Sequence, residues 1–366
     1  MKKTILKFLE LVLKPEPKSL PSESELIKHF KDRIKILIVR QHNQLGDMLL
    51  SNSLFRAIKE KLPDSFLCVL ASKENYEAIF SNKYIDKVIL FDKIRLWNPI
   101  LLIKFFQQLR NFEFHIAVVP VTVSISFTSC LIARLSKAKF TIGPKSLYQM
   151  PNKYSFMFDY AIDVGLGDND KRHISEKIQD ILKPFGIYTN DLSEHILIKE
   201  EERKFAQDFF SGIKVKKVGL HIGAGKIQNR WSVSKFAEVI NYLYEKHNSF
   251  IFLTIGRWDE DLLKQILPLL AKEPVILKNF PLQKLAAVID EADLFISNDT
   301  GIMHVAGSTK TPLISLFGPT NPEIWAPIGK DKFYIKKGNS IDEIKTDDVI
   351  QLIDFIFSQQ IENKGK

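Results

Sequence analysis

Polar residues that could do chemistry are concentrated where buried apolar runs end. In Ser297 to Gly307, SNDTGIMHVAG, they stand between the apolar runs ADLFI and TPLISLFG. Asp299, Thr300 and Gly301 turn the chain into a helix whose first N–H groups have no intrahelical acceptor. Such a start binds a phosphate through backbone donors and the positive end of the helix dipole. Gly301 allows close backbone approach and Thr300 adds a hydroxyl. Asp299 would serve equally as a helix N-cap, and His304, one turn in, either hydrogen-bonds a ligand or packs.

Three more glycine-bearing loops belong to the same half of the chain. HIGAG offers Gly223 and Gly225, with Lys226 and Arg230 bringing positive charge, although an ordinary strand-to-helix turn would read the same way. GRWDED ends a strand at Gly256 and sets Glu260 where an acid would accept hydrogen bonds from a ribose; LFGPTNP adds Gly318 and Thr320. Together these loops predict a nucleotide site. In the other half, QLGDMLL follows the first strand. Gly46 makes the turn there, and Asp47 is either an N-cap or a carboxylate that takes a proton from a substrate hydroxyl. Asp168, Asn169 and Asp170 superficially suggest a divalent metal site, but N-capping of the next helix explains them and no metal is expected. There is no zinc-spaced His/Cys cluster, no GxGxxG after a strand, no Walker sequence and no GxSxG. Dehydrogenase, P-loop and serine hydrolase functions lose support accordingly.

The elements that must position these residues alternate. IKILIVR, FLCVLA, KVILFD and FHIAVVP read as buried strands separated by helical patterns, with KENYEAIFSN as a short helix; the order weakens between Phe140 and Asp163. A helical pattern from Ile174 to Phe185 and a charged helix, KEEERKFAQDFFSG, precede a second alternation that starts at Val215. Two doubly wound α/β halves follow from this pattern, with ligands expected beyond the carboxyl ends of the strands, in a cleft between the halves. A last helix spans Thr346 to Gln360.

Length and composition agree with two domains. The chain has 366 residues, of which 45% are hydrophobic and 26% charged, as in globular proteins. A net charge of +9 favours anionic partners. The basic residues are dispersed rather than interleaved with aromatics, which argues against nucleic acid. Cys68 and Cys130 sit in apolar runs and read as packing residues of a reducing compartment. The N-terminal MKKTILKFLELVLK is too short and too charged to span a bilayer. It reads either as a helix on an anionic membrane surface or as one packed on its own domain.

ILIVRQHNQLGDMLL and SNDTGIMHVAGSTKTPLISLFGPTNPEIWAP resemble glycosyltransferase family 9, the ADP-heptose:lipopolysaccharide heptosyltransferases, over residues 34 to 330. The resemblance implies a GT-B fold: two facing Rossmann-like, doubly wound parallel-sheet domains and a C-terminal helix that crosses back to the first. The expected parts are an N-terminal amphipathic helix and linker (1–33), an acceptor domain (34–200), a nucleotide-sugar domain (214–340) and the crossing helix and tail (341–366). It also implies an inverting, metal-independent transfer of heptose from ADP-heptose, with no other cofactor, to a lipid-linked lipopolysaccharide core sugar.

The family's general base falls on Asp47, beside Gly46 on the acceptor side. Its donor-binding residues fall on Asp299, Thr300, Gly301 and His304 and its ribose acid on Glu260; the HIGAG loop, read from its own residues, adds Gly223, Gly225, Lys226 and Arg230 to the donor side. The expected location is cytoplasmic and peripheral on the inner face of the inner membrane, with residues 1–16 as the contact. One departure stands out. Where the family carries a lysine facing the donor phosphates this chain has Asn229, followed by Arg230, Trp231 and Ser232, so Arg230 or Lys226 must supply the missing charge. Two alternatives accompany this reading: another nucleotide sugar or acceptor, or an inactive nucleotide-binding or membrane scaffold.

Overall fold

The computed structural model describes residues 3–16, 33–41, 44–80, 82–93, 97–165 and 170–364. The chain forms two compact units, Met1–Leu192 and Ser193–Lys366. In the first, α1 (Lys3–Leu13) precedes β1 (Lys35–Val39), which leads through α2 (Leu45–Leu50) and α3 (Asn52–Lys61) to β2 (Phe66–Ala71) and then β3 (Lys87–Leu90). Next come α4 (Pro99–Arg110), β4 (Ile116–Val118), α5 (Phe127–Leu135), β5 (Phe140–Leu147), β6 (Met150–Pro151) and β7 (Tyr160–Val164). The strand order is β3-β2-β1-β4-β5-β6, with β7 also on β5; the β5–β6 pair is antiparallel and every other pairing is parallel. Strands of this kind are covered on both faces and read as continuous apolar runs. Ile36, Leu37, Ile38 and Val39 of β1 are accordingly all buried. The sequence signals a start for α4, where Asn98 Oδ1 accepts the N–H groups of Ile100 and Leu101 at 3.1 Å and Pro99 occupies the first turn.

Three features of this unit differ from the sequence expectation. The KENYEAIFSN helix is a single 3-10 turn at Tyr76–Ala78. The ill-ordered stretch from Phe140 holds three strands, disguised because Gly143, Pro144 and Lys145 break the apolar run of β5. The helical pattern from Ile174 is a short helix, α6 (Ile174–Lys177), continued by 3-10 turns to Phe185 and closed by Gly186 at φ +68°.

The second unit runs α7 (Glu200–Phe209), β8 (Lys217–His221), α8 (Val233–His247), β9 (Phe250–Ile255), α9 (Glu260–Ile266), β10 (Val275–Lys278) and α10 (Leu282–Asp290). It continues with β11 (Leu294–Asn298), α11 (Gly301–Gly307), β12 (Leu313–Leu316), α12 (Pro322–Trp325), β13 (Lys332–Ile335) and α13 (Thr346–Lys364). Its six strands are parallel in the order β10-β9-β8-β11-β12-β13. The unit begins earlier than residue 214 because α7 packs on α10, where Arg203 reaches Asp290 and Glu291 at 3.7 and 3.9 Å. The last helix also belongs to it: Val349, Ile353, Ile356 and Phe357 enter the core of this unit, and Gln360 Nε2 donates to the Asp293 carbonyl at 2.8 Å.

Gly219 lies in β8, where a Cβ would come within 2.3 Å of the Phe252 ring and 2.6 Å of the Phe295 ring. Gly219→Ala should therefore cost about 1–3 kcal/mol, read as a drop of several degrees in the Tm of thermal unfolding. An unchanged Tm would mean that the two rings yield freely.

Candidate functional site

Each sheet reverses its winding once, at β1/β4 in the first unit and at β8/β11 in the second, and each carries a cavity beyond the strand ends at that point. The first, of about 370 Å³, is lined by Arg40 and Gln41 after β1, Asp47 on α2, Thr122 and Ser124 after β4, and Lys93 after β3. Asp47 is the third residue of α2, whose N-cap is Gln44, so the carboxylate is not a cap. It is 8% exposed, and its Oδ2 lies 3.9 Å from Arg40 Nη2. Arg40 is buried and also donates to Thr122 Oγ1 at 2.9 Å and to the Asp47 carbonyl at 3.4 Å. Burial lowers the guanidinium pKa and Asp47 pulls it back up. Gly46, one residue before Asp47 in α2, is buried.

The second cavity, of about 480 Å³, is lined by His221 at the end of β8 and residues after β8 (Ala224, Gly225, Arg230), after β9 (Gly256, Arg257, Trp258, Asp259) and after β11 (Thr300, Ile302). Thr300 is the N-cap residue of α11, but its side chain makes no capping bond. Asp299 is not the cap. Its Oδ2 accepts Asn229 Nδ2 at 2.8 Å, and no described partner meets the buried Asn229 Oδ1. Arg230 Nε donates to the Ala224 carbonyl at 2.9 Å, which aligns its guanidinium along the loop. Gly223 is needed for packing: a Cβ there would lie 2.3 Å from Asp259 Oδ1, and Asp259 Oδ2 accepts the Gly256 N–H at 2.9 Å. At Gly225 the space is open.

Of the nine donor candidates the lining holds Gly225, Arg230 and Thr300; Gly223, Asp299 and Gly301 stand just behind it in the same loops, and Glu260, Lys226 and His304 are directed elsewhere. Glu260 is exposed and pairs with Lys278, so the acid in the lining is its neighbour Asp259. Lys226 is exposed at the start of a 3-10 turn and outside the lining. His304 is buried, with Nδ1 2.7 Å from Glu194 Oε1. Behind it Lys332 is half-buried, and its Nζ donates to the carbonyls of Ala306, Thr309 and Thr311 at 3.2, 2.7 and 2.6 Å. Burial brings that amine down to about 8. Of the aspartate triplet, Asp168 and Asn169 lie outside the described residues, and the Asp170 carboxylate is taken by Arg172 at 2.8 Å. Among the described residues no group of three or more His, Cys, Asp or Glu side chains is placed to hold a metal.

Sequence reasoning missed His221, Trp258 and Asp259 in this cavity and Arg40 in the other. The signals were present: a polar residue as the last of a buried strand (His221) or just after it (Arg40), and the unused side chains of GRWDED. His221 Nδ1 lies 2.9 Å from both the carbonyl O and Oγ1 of Thr254. Donation to that carbonyl places the proton on Nδ1 and leaves Nε2 of the neutral ring as an acceptor. Trp258 is 87% exposed, an indole face free to stack on a planar ligand. The cavity thus joins backbone N–H groups at a helix start, two arginines, an exposed indole and an acid, a set suited to a nucleoside diphosphate.

The family model for glycosyltransferase family 9 (heptosyltransferase) matches residues 102–349. Lipopolysaccharide heptosyltransferase 3 of Escherichia coli K12 is 26% identical over 311 residues, covering 80% of this chain and 86% of that protein. Among solved structures, the family 9 glycosyltransferase of Veillonella parvula superposes with a TM-score of 0.77 at 21% identity, covering 90% of this chain and 98% of that one. ADP-heptose LPS heptosyltransferase II of E. coli gives 0.74 at 20% identity, covering 89% and 99%.

Burial holds the His221 imidazole below its ordinary value of 6.5, with Asp259 drawing it back up. The unfolded ring takes a proton below about pH 6.5 and the folded ring resists it. This contribution to stability is therefore complete above that pH and is lost as the pH falls towards the depressed folded value. Between about pH 7.5 and 5.5 the protein should lose more Tm than His221→Gln does; equal losses would show that the ring is not protected from protons.

Proposed function

Because the chain belongs to glycosyltransferase family 9, we propose that this enzyme moves a heptose from ADP-heptose to a sugar of a lipid-linked lipopolysaccharide core, inverting the anomeric carbon without a metal ion. Asp47 is the observation that carries the reading. It is a carboxylate in a polar cavity that caps no helix and is steadied through Arg40. In the proposed reaction it accepts the proton of the acceptor hydroxyl. The freed oxygen pair forms the new bond to the anomeric carbon as the bond to the diphosphate breaks, and ADP leaves with the electron pair of the broken bond.

Charge developing on the diphosphate has to be met as it forms. The start of α11 at Thr300 to Ile302 and the guanidinium of Arg230 supply donors, while Trp258 stacks on the base and His221 Nε2 accepts a hydroxyl. With Asn229 beside Asp299 in place of the family's lysine, Arg230 is the cation of the lining nearest in sequence to that position. Support for donor and acceptor class comes from relatives named for heptose transfer in lipopolysaccharide. The neutral amide of Asn229 favours one alternative, a different nucleotide sugar on the same scaffold.

Among the described residues no helix is long and apolar enough to cross a membrane. The reading is instead a protein peripheral to the inner face of the inner membrane, with α1 as one contact, since Ile5, Phe8, Leu11 and Val12 are exposed.

Asp47→Asn should cut turnover by a factor of about 10² or more while leaving ADP affinity unchanged; full activity would remove the assigned base. Calorimetric titration should show ADP and ADP-heptose preferred over UDP and GDP, with and without Mg²⁺. Trp258→Ala should weaken ADP about tenfold, and Glu260→Gln less than about twofold. A Glu260→Gln loss as large as that of Trp258→Ala would return the ribose acid to Glu260, and a preference for UDP or GDP would move the function to another sugar.

A further inference from the structure

Beside the Asp47 cavity the first unit presents an apolar surface that no described part of the chain covers. Trp97, just ahead of α4, is 88% exposed, and Ile100 and Ile103 on the helix are 64% and 56% exposed. They share an outer stripe with Lys104 and Gln107, while Phe105, Phe106 and Leu109 face the core. An apolar stripe of this kind, with an indole at its head, is more than scattered surface hydrophobicity.

Topology fixes where the stripe lies. The right-handed crossover from β3 back to β4 puts α4 on the sheet face opposite α2 and α3, and α5 follows on the same face. Arg110 Nε of α4 donates to the Leu135 carbonyl of α5 at 3.1 Å, and Arg134 Nε of α5 donates to the Leu13 carbonyl of α1 at 2.7 Å. The exposed apolar residues of α1 therefore belong to the same helical layer. Trp97 follows Lys93, which lines the Asp47 cavity, so the stripe begins at the edge where that cavity opens.

Charge selects the occupant. From Lys93 to Arg110 the sequence contains Lys93, Arg95, Lys104 and Arg110 and no Asp or Glu. A second copy of the chain docking here would bring like charges together, whereas an anionic bilayer surface complements them and takes the indole and isoleucines into its headgroup boundary. We propose that Trp97 and the outer stripe of α4 dock the first unit on an anionic phospholipid bilayer, holding the Asp47 cavity at the membrane plane. This deepens the reading of a lipid-linked acceptor and rests on it for purpose, but not for its test.

The full-length protein is floated with vesicles of phosphatidylcholine alone or mixed with phosphatidylglycerol. Alongside it runs a variant combining Trp97→Ser, Ile100→Ser and Ile103→Ser, with thermal unfolding as the control for folding. Wild type should bind the mixed vesicles and the variant about tenfold more weakly or worse at unchanged Tm, with neutral vesicles bound poorly by both. Equal flotation of variant and wild type, or no binding by wild type, overturns the proposal; so does a wild-type dimer in sedimentation that the variant dissolves. Transfer to a short, water-soluble core acceptor should be the same in both proteins. If wild type floats yet transfers nothing, the proposed reaction fails and the docking surface stands.

Discussion

Where a parallel sheet reverses its winding, two adjacent strands send their connections to opposite faces, and neither connection fills the space between their ends. Everything distinctive in this molecule answers to that gap, which occurs between β1 and β4 and between β8 and β11. Each unit closes the floor of its gap with one buried polar side chain that ties the two diverging loops together. In the second unit Asn298 Nδ2 donates to the carbonyls of Ile222 and Gly223 at 2.9 and 3.2 Å, and its Oδ1 accepts the Trp231 N–H at 3.1 Å. In the first unit Arg40 reaches Thr122 and the main chain of Asp47.

The two solutions differ in charge, and the chemistry follows from the difference. A neutral amide under the second gap leaves the field there to the helix start, Arg230 and Arg257, which suits a ligand that arrives with its own negative charge. An ionised guanidinium under the first gap has lost most of its water, and Asp47 is the carboxylate that compensates it. A carboxylate kept near 3.9 Å from that cation, and spared from capping, remains available to a hydroxyl entering the cavity.

Fold class and most of the second unit were legible in the sequence because periodicity is a local property. Strands such as FLCVLA and LFISN are apolar throughout, and helices such as VSKFAEVINYLYEKH carry an unbroken stripe. What failed was tertiary in origin. β5 and β7 pair across a hairpin and carry Gly, Pro and Asp within their spans, so no short window shows them. Asp299 and Thr300 could be placed at a helix start, but it is tertiary packing that sets Thr300 in the lining and turns Asp299 to Asn229. That the lining takes Asp259 rather than Glu260 depends on the direction of one helix turn, and His304 stayed open between ligand binding and packing because its partner, Glu194, lies 110 positions earlier.

That partner has a consequence for how such a chain can be cut and rejoined. Residues 193 to 199 carry no helix or strand until α7 begins, and they resemble a tether that a recombination event could split at any point. Yet Glu194 is buried against His304 and is the charge that acts most strongly on Lys332. A half-gene beginning at residue 214 would encode every strand of the second sheet and leave out the carboxylate that faces a buried imidazole and a half-buried amine. One beginning at 193 would keep all three. The inheritable module is thus set by a single side chain in a segment with no regular structure.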